Sequence, residues 1–131
     1  MHTSRRVAAL GMASAAMAAA AIATAPGAAA DSYNGCAYPR VCFYPTVTQW
    51  NNGAPTAAYQ DVTSSYQNLG SNSRGADYVH NTRNDDRVYL RYTYSPTGQT
   101  GALCVNPNTT AVFNSNYTVT GIMIQTASSC P

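Results

Sequence analysis

Between residues 31 and 131 the groups able to ligate, attack or move protons near neutral pH are His80, five Asp (31, 61, 77, 85 and 86) and four Cys (36, 42, 104 and 130). A Ser–His–Asp relay would draw on His80 with Asp77 or Asp85. No G-x-S-x-G elbow accompanies them, and no Ser is singled out by its context. Glycoside hydrolysis needs two carboxylates across a cleft. Only Asp85 and Asp86 adjoin, and consecutive strand residues point to opposite faces. A zinc site would need a C-x-x-C pair or further histidines, and neither is present. The turn Asn84-Asp85-Asp86 lies between Arg83 and Arg87, which makes it a solvated, charge-balanced turn rather than a calcium loop. His80 falls within a strand-forming stretch and is expected to be a core or surface imidazole. These residues therefore predict a protein that is not an enzyme and needs neither metal nor cofactor.

The cysteines point to a different use. An even number in a small chain suits two disulfides, for which three pairings exist. Cys36 and Cys42 enclose five residues and suit a local staple, which leaves Cys104 with Cys130. Residues 1–30 open with Arg5 and Arg6, continue in an Ala-rich apolar run and end in Ala28-Ala29-Ala30, the layout of a cleavable secretory leader. The division expected is a leader over 1–30 and one domain over 31–131, secreted to the extracellular space. That domain carries five Arg and five Asp with no Lys or Glu, so its net charge is zero. A neutral domain gives no electrostatic footprint for nucleic acid or an anionic membrane. A monomer with neither as partner is expected.

The elements that must position these residues are strands. Tyr, Thr, Val, Asn and Ser dominate residues 31–131, and no long run has a 3.6-residue period. The clearest strand is 87–94, with Val88, Leu90, Tyr92 and Tyr94 on one face and Arg87, Tyr89, Arg91 and Thr93 on the other. Others are expected at 40–44, 56–61, 64–69, 76–81, 101–105, 110–113 and 118–125, with Trp50 in a loop after Pro45. Two units of four short strands result. This is the order of paired Greek keys in an all-β sandwich. Only 17 Val, Leu, Ile, Met, Phe and Trp residues serve this domain, so the disulfides matter to its stability.

Several segments resemble small bacterial exported proteins of the crystallin-like metalloprotease-inhibitor family. Cys36-Ala37-Tyr38-Pro39-Arg40-Val41-Cys42-Phe43-Tyr44 is similar to that family's opening of two close cysteines before an aromatic strand. Trp50-Asn51-Asn52-Gly53 resembles its aromatic before Gly in the first hairpin. Ala76-Asp77-Tyr78-Val79-His80-Asn81-Thr82 resembles its mid-chain strand, and the second hairpin and the strand Val119 to Ile124 fall in register. The resemblance implies a βγ-crystallin-like double Greek key and a reactive strand that passes through a Cys in the second half. The crystallin calcium pattern is not matched. Ser71-Asn72-Ser73-Arg74-Gly75-Ala76 fails it, and in Ser115-Asn116-Tyr117-Thr118-Val119-Thr120 the Val offers no ligand oxygen.

A protease inhibitor needs no catalytic group, only a substrate-like segment held rigid. Leu103, Cys104, Val105 and Asn106 are the expected contact loop, staked at Cys104 and stiffened by Pro107. Thermolysin-like enzymes favour a bulky apolar residue just after the cut, which selects the Cys104-Val105 bond and an extracellular protease as partner. On this reading Val105→Asp ends inhibition and spares the fold. A second reading takes Trp50, Tyr89 and Arg91 as one ligand face of a carbohydrate- or cell-surface-binding module. A crystallin-like toxin without catalytic activity is a third.

Overall fold

The computed structural model describes residues 31–131, so the expected leader over 1–30 lies outside the described residues. In chain order the elements are β1 (Val41–Tyr44), α1 (Val47–Asn51), β2 (Ala57–Tyr59), β3 (Gln67–Asn68), β4 (Tyr78–Asn81), β5 (Arg87–Tyr94), β6 (Gln99–Val105), β7 (Thr109–Val112) and β8 (Tyr117–Gln125). They form two four-stranded antiparallel sheets, ordered β2-β1-β4-β7 and β3-β8-β5-β6. The first four strands supply three neighbours to the first sheet and send β3 to the second. The last four supply three neighbours to the second sheet and send β7 to the first. Each half thus gives its third strand to the other, and neither half has a core of its own.

The main core lies between the sheets. Val41, Phe43, Val79 and Ala111 come from the first sheet and Val88, Leu90, Val105, Val119, Ile122 and Ile124 from the second. Alternation along β5 accounts for Val88 and Leu90 directly. In β8 the apolar spacing breaks between Val119 and Ile122, and a bulge restores it. Arg91 pairs with Gly121 and Tyr92 with Val119, so Thr120 is the extra residue and both apolar sets face inward.

The strand β1 is buried on both faces. Val41 and Phe43 enter the main core, while Cys42 and Tyr44 join Cys36 in a second cluster on the outer side of the first sheet, roofed by Trp50 and Tyr78. Both disulfides form as the cysteine spacing suggests, Cys36–Cys42 and Cys104–Cys130.

Three expected elements differ. The stretch carrying Trp50 is helical rather than a loop, because Thr46 caps α1 and Gln49 returns its side chain to the Thr46 backbone N–H. The strand expected at 56–61 contracts to three residues, and that at 64–69 to two. Both lie at sheet edges, where one neighbour supports the ladder.

Candidate functional site

The segment from Leu103 to Asn106 lies on β6 and its exit, at the outer edge of the second sheet. Its register against β5 is Val88 with Val105, Tyr89 with Cys104, Leu90 with Leu103 and Tyr92 with Gly101. This alternation turns Leu103 and Val105 inward, but the edge treats them differently. Val105 is 3% exposed among core residues, whereas Leu103 keeps 39% of its surface in solvent. Among the described strands, only β5 pairs with β6, so the other side of its backbone is open to a further strand.

The exit of β6 is fastened at several points. The disulfide from Cys104 to Cys130 ties it to the C-terminal segment. The Asn106 side-chain oxygen accepts the Cys130 backbone N–H at 2.7 Å. The Asn106 carbonyl accepts from the Asn81 amide at 3.3 Å. Asn81 is fully buried; its amide also donates to the Asp86 carbonyl at 2.9 Å, and its side-chain oxygen accepts the Arg83 N–H at 3.0 Å. Arg83 in turn pairs with Asp86 at 2.6 Å. The turn containing Asp85 and Asp86 therefore spends its second carboxylate on an arginine. Among the described residues no group of three or more His, Cys, Asp or Glu is placed to hold a metal ion.

This geometry corrects the contact loop. Residues 99–105 are an edge strand, and Val105 faces the core, so the side chain after the Cys104-Val105 bond is not displayed to a partner. The apolar side chain that the edge does display is Leu103. The expectation that Val105→Asp would spare the fold falls with it, because that change puts a carboxylate among Val88 and its neighbours.

The alternative face also divides. Trp50 stands over the first sheet, stacked on Tyr78 with centroids 5.0 Å apart and planes 10° from parallel. Tyr89 and Arg91 stand on the outer side of the second sheet, since Val88 and Leu90 between them point into the core. The three residues lie on opposite sides of the sandwich and make no common site. Arg91 serves structure. It donates to the Asn68 side chain at 2.6 Å and to the Thr120 hydroxyl and carbonyl, each at 3.1 Å, fastening β3 to β8. Its guanidinium lies so close over Gly121 that a Cβ there would come within 2.9 Å, and the Tyr66 ring stacks against it at 5.4 Å. Burial raises the Tyr66 pKa, with Tyr89 adding to the rise and Arg91 opposing it.

His80, on β4, is buried and bonds the Thr110 hydroxyl through Nδ1 at 2.8 Å. Burial lowers its pKa below the ordinary 6.5, so it is neutral at pH 7. Tyr44 donates to the Asn34 carbonyl at 2.7 Å, and burial, reinforced by Tyr33, pushes its pKa up to about 12. Sequence reasoning passed over Asn81, Asn106 as a hydrogen-bond clasp, and Tyr33. Of these only Asn81 carried a signal, a polar residue at an inward position of a strand. Comparison with protein-family models, curated proteins and solved structures finds no match to this chain.

Proposed function

We propose that the protein is an exported, crystallin-like inhibitor of a metalloprotease that offers strand β6 as a rigid, substrate-like edge. The observation that carries this reading is the pairing of an open sheet edge with a fastened exit. Cys104 is bridged to Cys130, and Asn106 is clasped by Asn81 and by the Cys130 backbone. Proteases bind their substrates as extended strands, and an edge already held in that form loses little entropy on docking.

The bond best matched to a thermolysin-like preference is Ala102-Leu103. Leu103 is the exposed apolar residue on its C-terminal side, and Ala102 before it is exposed. Were that bond cut, pairing to β5 would hold the N-terminal side and the Cys104–Cys130 bridge the C-terminal side, so the new ends would stay together and release slowly. Each half's exchange of its third strand supports the double Greek-key likeness. Two disulfides suit an oxidising compartment, and among the described residues no helix is long and apolar enough to cross a membrane.

The test is a titration of a thermolysin-like protease with the oxidised protein, read by peptide hydrolysis, with a serine protease as control. Stoichiometric loss of metalloprotease activity alone is the expected result. Full activity at micromolar protein would remove the inhibitor reading.

A further inference from the structure

A cleft of about 500 Å³ opens on the outer side of the first sheet, lined by Asp31, Ser32, Tyr33, His80, Asn108 and Thr110. It is remote in kind from the β6 edge: among the described residues no arginine lines it, and its walls are the Tyr33 ring, the His80 imidazole, the Asp31 carboxylate and small polar side chains. Tyr33 is 54% exposed, yet the chain around it is heavily fixed. Its N–H and carbonyl bond Cys36 at 3.0 and 2.8 Å, and Cys36 is bridged to Cys42. Asn34 is in the left-handed region at φ 48°. Its amide donates to the Trp50 carbonyl at 2.8 Å and its carbonyl accepts from Tyr44 at 2.7 Å. Gly35 follows at φ 77°, where a Cβ would come within 1.9 Å of the Gly53 carbonyl oxygen, so only glycine lets this turn sit down. An exposed ring on so rigid a mount is a preorganised packing surface.

The imidazole beneath that ring completes the site. The Tyr33 and His80 centroids are 4.7 Å apart. His80 is only 5% exposed, and its one hydrogen bond among the described residues uses Nδ1. Among the described residues no hydrogen bond to Nε2 is present, and the imidazole lines the cleft. If the Thr110 hydroxyl donates to Nδ1, then Nε2–H is a donor. If Nδ1–H donates to Thr110, then Nε2 is an acceptor. A carbonyl or an ammonium group suits only one of these tautomers. A hydroxyl suits both.

We propose that this cleft is a second binding site, for a neutral saccharide that packs along the exposed edge of the Tyr33 ring and whose hydroxyls bond His80 Nε2 and the Thr110 and Asn108 side chains. It stands independently of the protease reading. With no arginine among its described lining residues and the Asp31 carboxylate on its wall, the cleft disfavours an anionic sugar, and Asp31 is an acceptor for a hydroxyl.

The experiment uses the oxidised protein with cellotetraose and chitotetraose as probes. Binding is read by calorimetry and by fluorescence of Trp50, whose ring centroid is 6.1 Å from that of Tyr33. Saturable binding of at least one probe is expected, lost in Tyr33→Ala and weakened about tenfold in Thr110→Val, with protease inhibition unchanged in both variants. Both positions are peripheral to the core, and near-ultraviolet circular dichroism verifies that each variant folds. No binding of either probe, or binding of wild-type strength in Tyr33→Ala, would overturn the proposal.

Discussion

The two outer faces of the sandwich are covered to different extents. The first sheet is covered. Residues 31–40 and α1 lie over β1 and β4, and the disulfide Cys36–Cys42, Tyr44, Trp50 and Tyr78 make a second, aromatic cluster there. Among the described residues the second sheet has a lighter cover, the C-terminal segment that Cys130 ties to Cys104 and that Arg87 holds at the Ser129 carbonyl. Its outer side chains shield one another, with Arg87 over Tyr89 at 5.2 Å and Arg91 between Tyr66 and Gly121. The difference separates stability from display. Covering one face stabilises a chain with few aliphatic residues, while the unpaired side of β6 leaves the edge of the other sheet free to pair with a partner.

The largest effect that would break this picture is a charge placed in the shared core. Val105→Asp is expected to cost about 4 kcal/mol, enough to unfold much of the population, in urea denaturation. A small cost would mean that Val105 faces solvent and would restore the Cys104-Val105 bond as the displayed one. The two disulfides come next. Closing 26 residues, the Cys104–Cys130 bridge should contribute about 3.5 kcal/mol, against about 2 for Cys36–Cys42, which closes six. Paired Cys→Ala variants measure both. If the short bridge proves the costlier to lose, the covered face carries more of the fold than chain entropy assigns to it.

Smaller still is the tyrosine contrast. Tyr44→Phe leaves the Asn34 carbonyl without its donor and is expected to cost about 1 kcal/mol, whereas Tyr89→Phe on the outer face of the second sheet should change stability by less than about 0.5 kcal/mol. The last is a pH dependence. His80 is held neutral by burial, beside Tyr33 and Thr110, with Asp31 on the same cleft. Its folded pKa lies below the unfolded value, so the unfolded chain takes the proton first. Its contribution is therefore fully present above pH 6.5 and is lost as pH falls through the folded value. Melting temperatures between pH 7 and 5 should fall more steeply in the wild type than in His80→Gln.

Much of the fold was legible because alternation is a local signal. Val88 and Leu90 against Tyr89 and Arg91 mark β5 without help from the rest of the chain, and cysteine spacing indicated both bridges. The helix α1 was hidden because five residues carry too little periodicity. Its one local sign, Thr46 followed by Gln49, sits among Pro, Asn and Gly that read as loop. The site was less legible, for a different reason. Whether Leu103 or Val105 reaches solvent depends on β6 lying at an edge with its exit drawn inward, and whether Trp50 meets Tyr89 depends on which sheet each strand joins. Both are decided by long-range pairing, to which neighbouring residues give no clue.

The central claim is that the β6 edge, through Leu103, engages the protease. The most direct measurement is the inhibition constant of Leu103→Asp against a thermolysin-like enzyme, beside the wild type and with melting temperatures matched. Leu103 is partly exposed, so the variant should fold. At least about a hundredfold weaker inhibition is predicted, the scale of a truncated interface anchor. An unchanged constant would contradict the account and take β6 out of the interface.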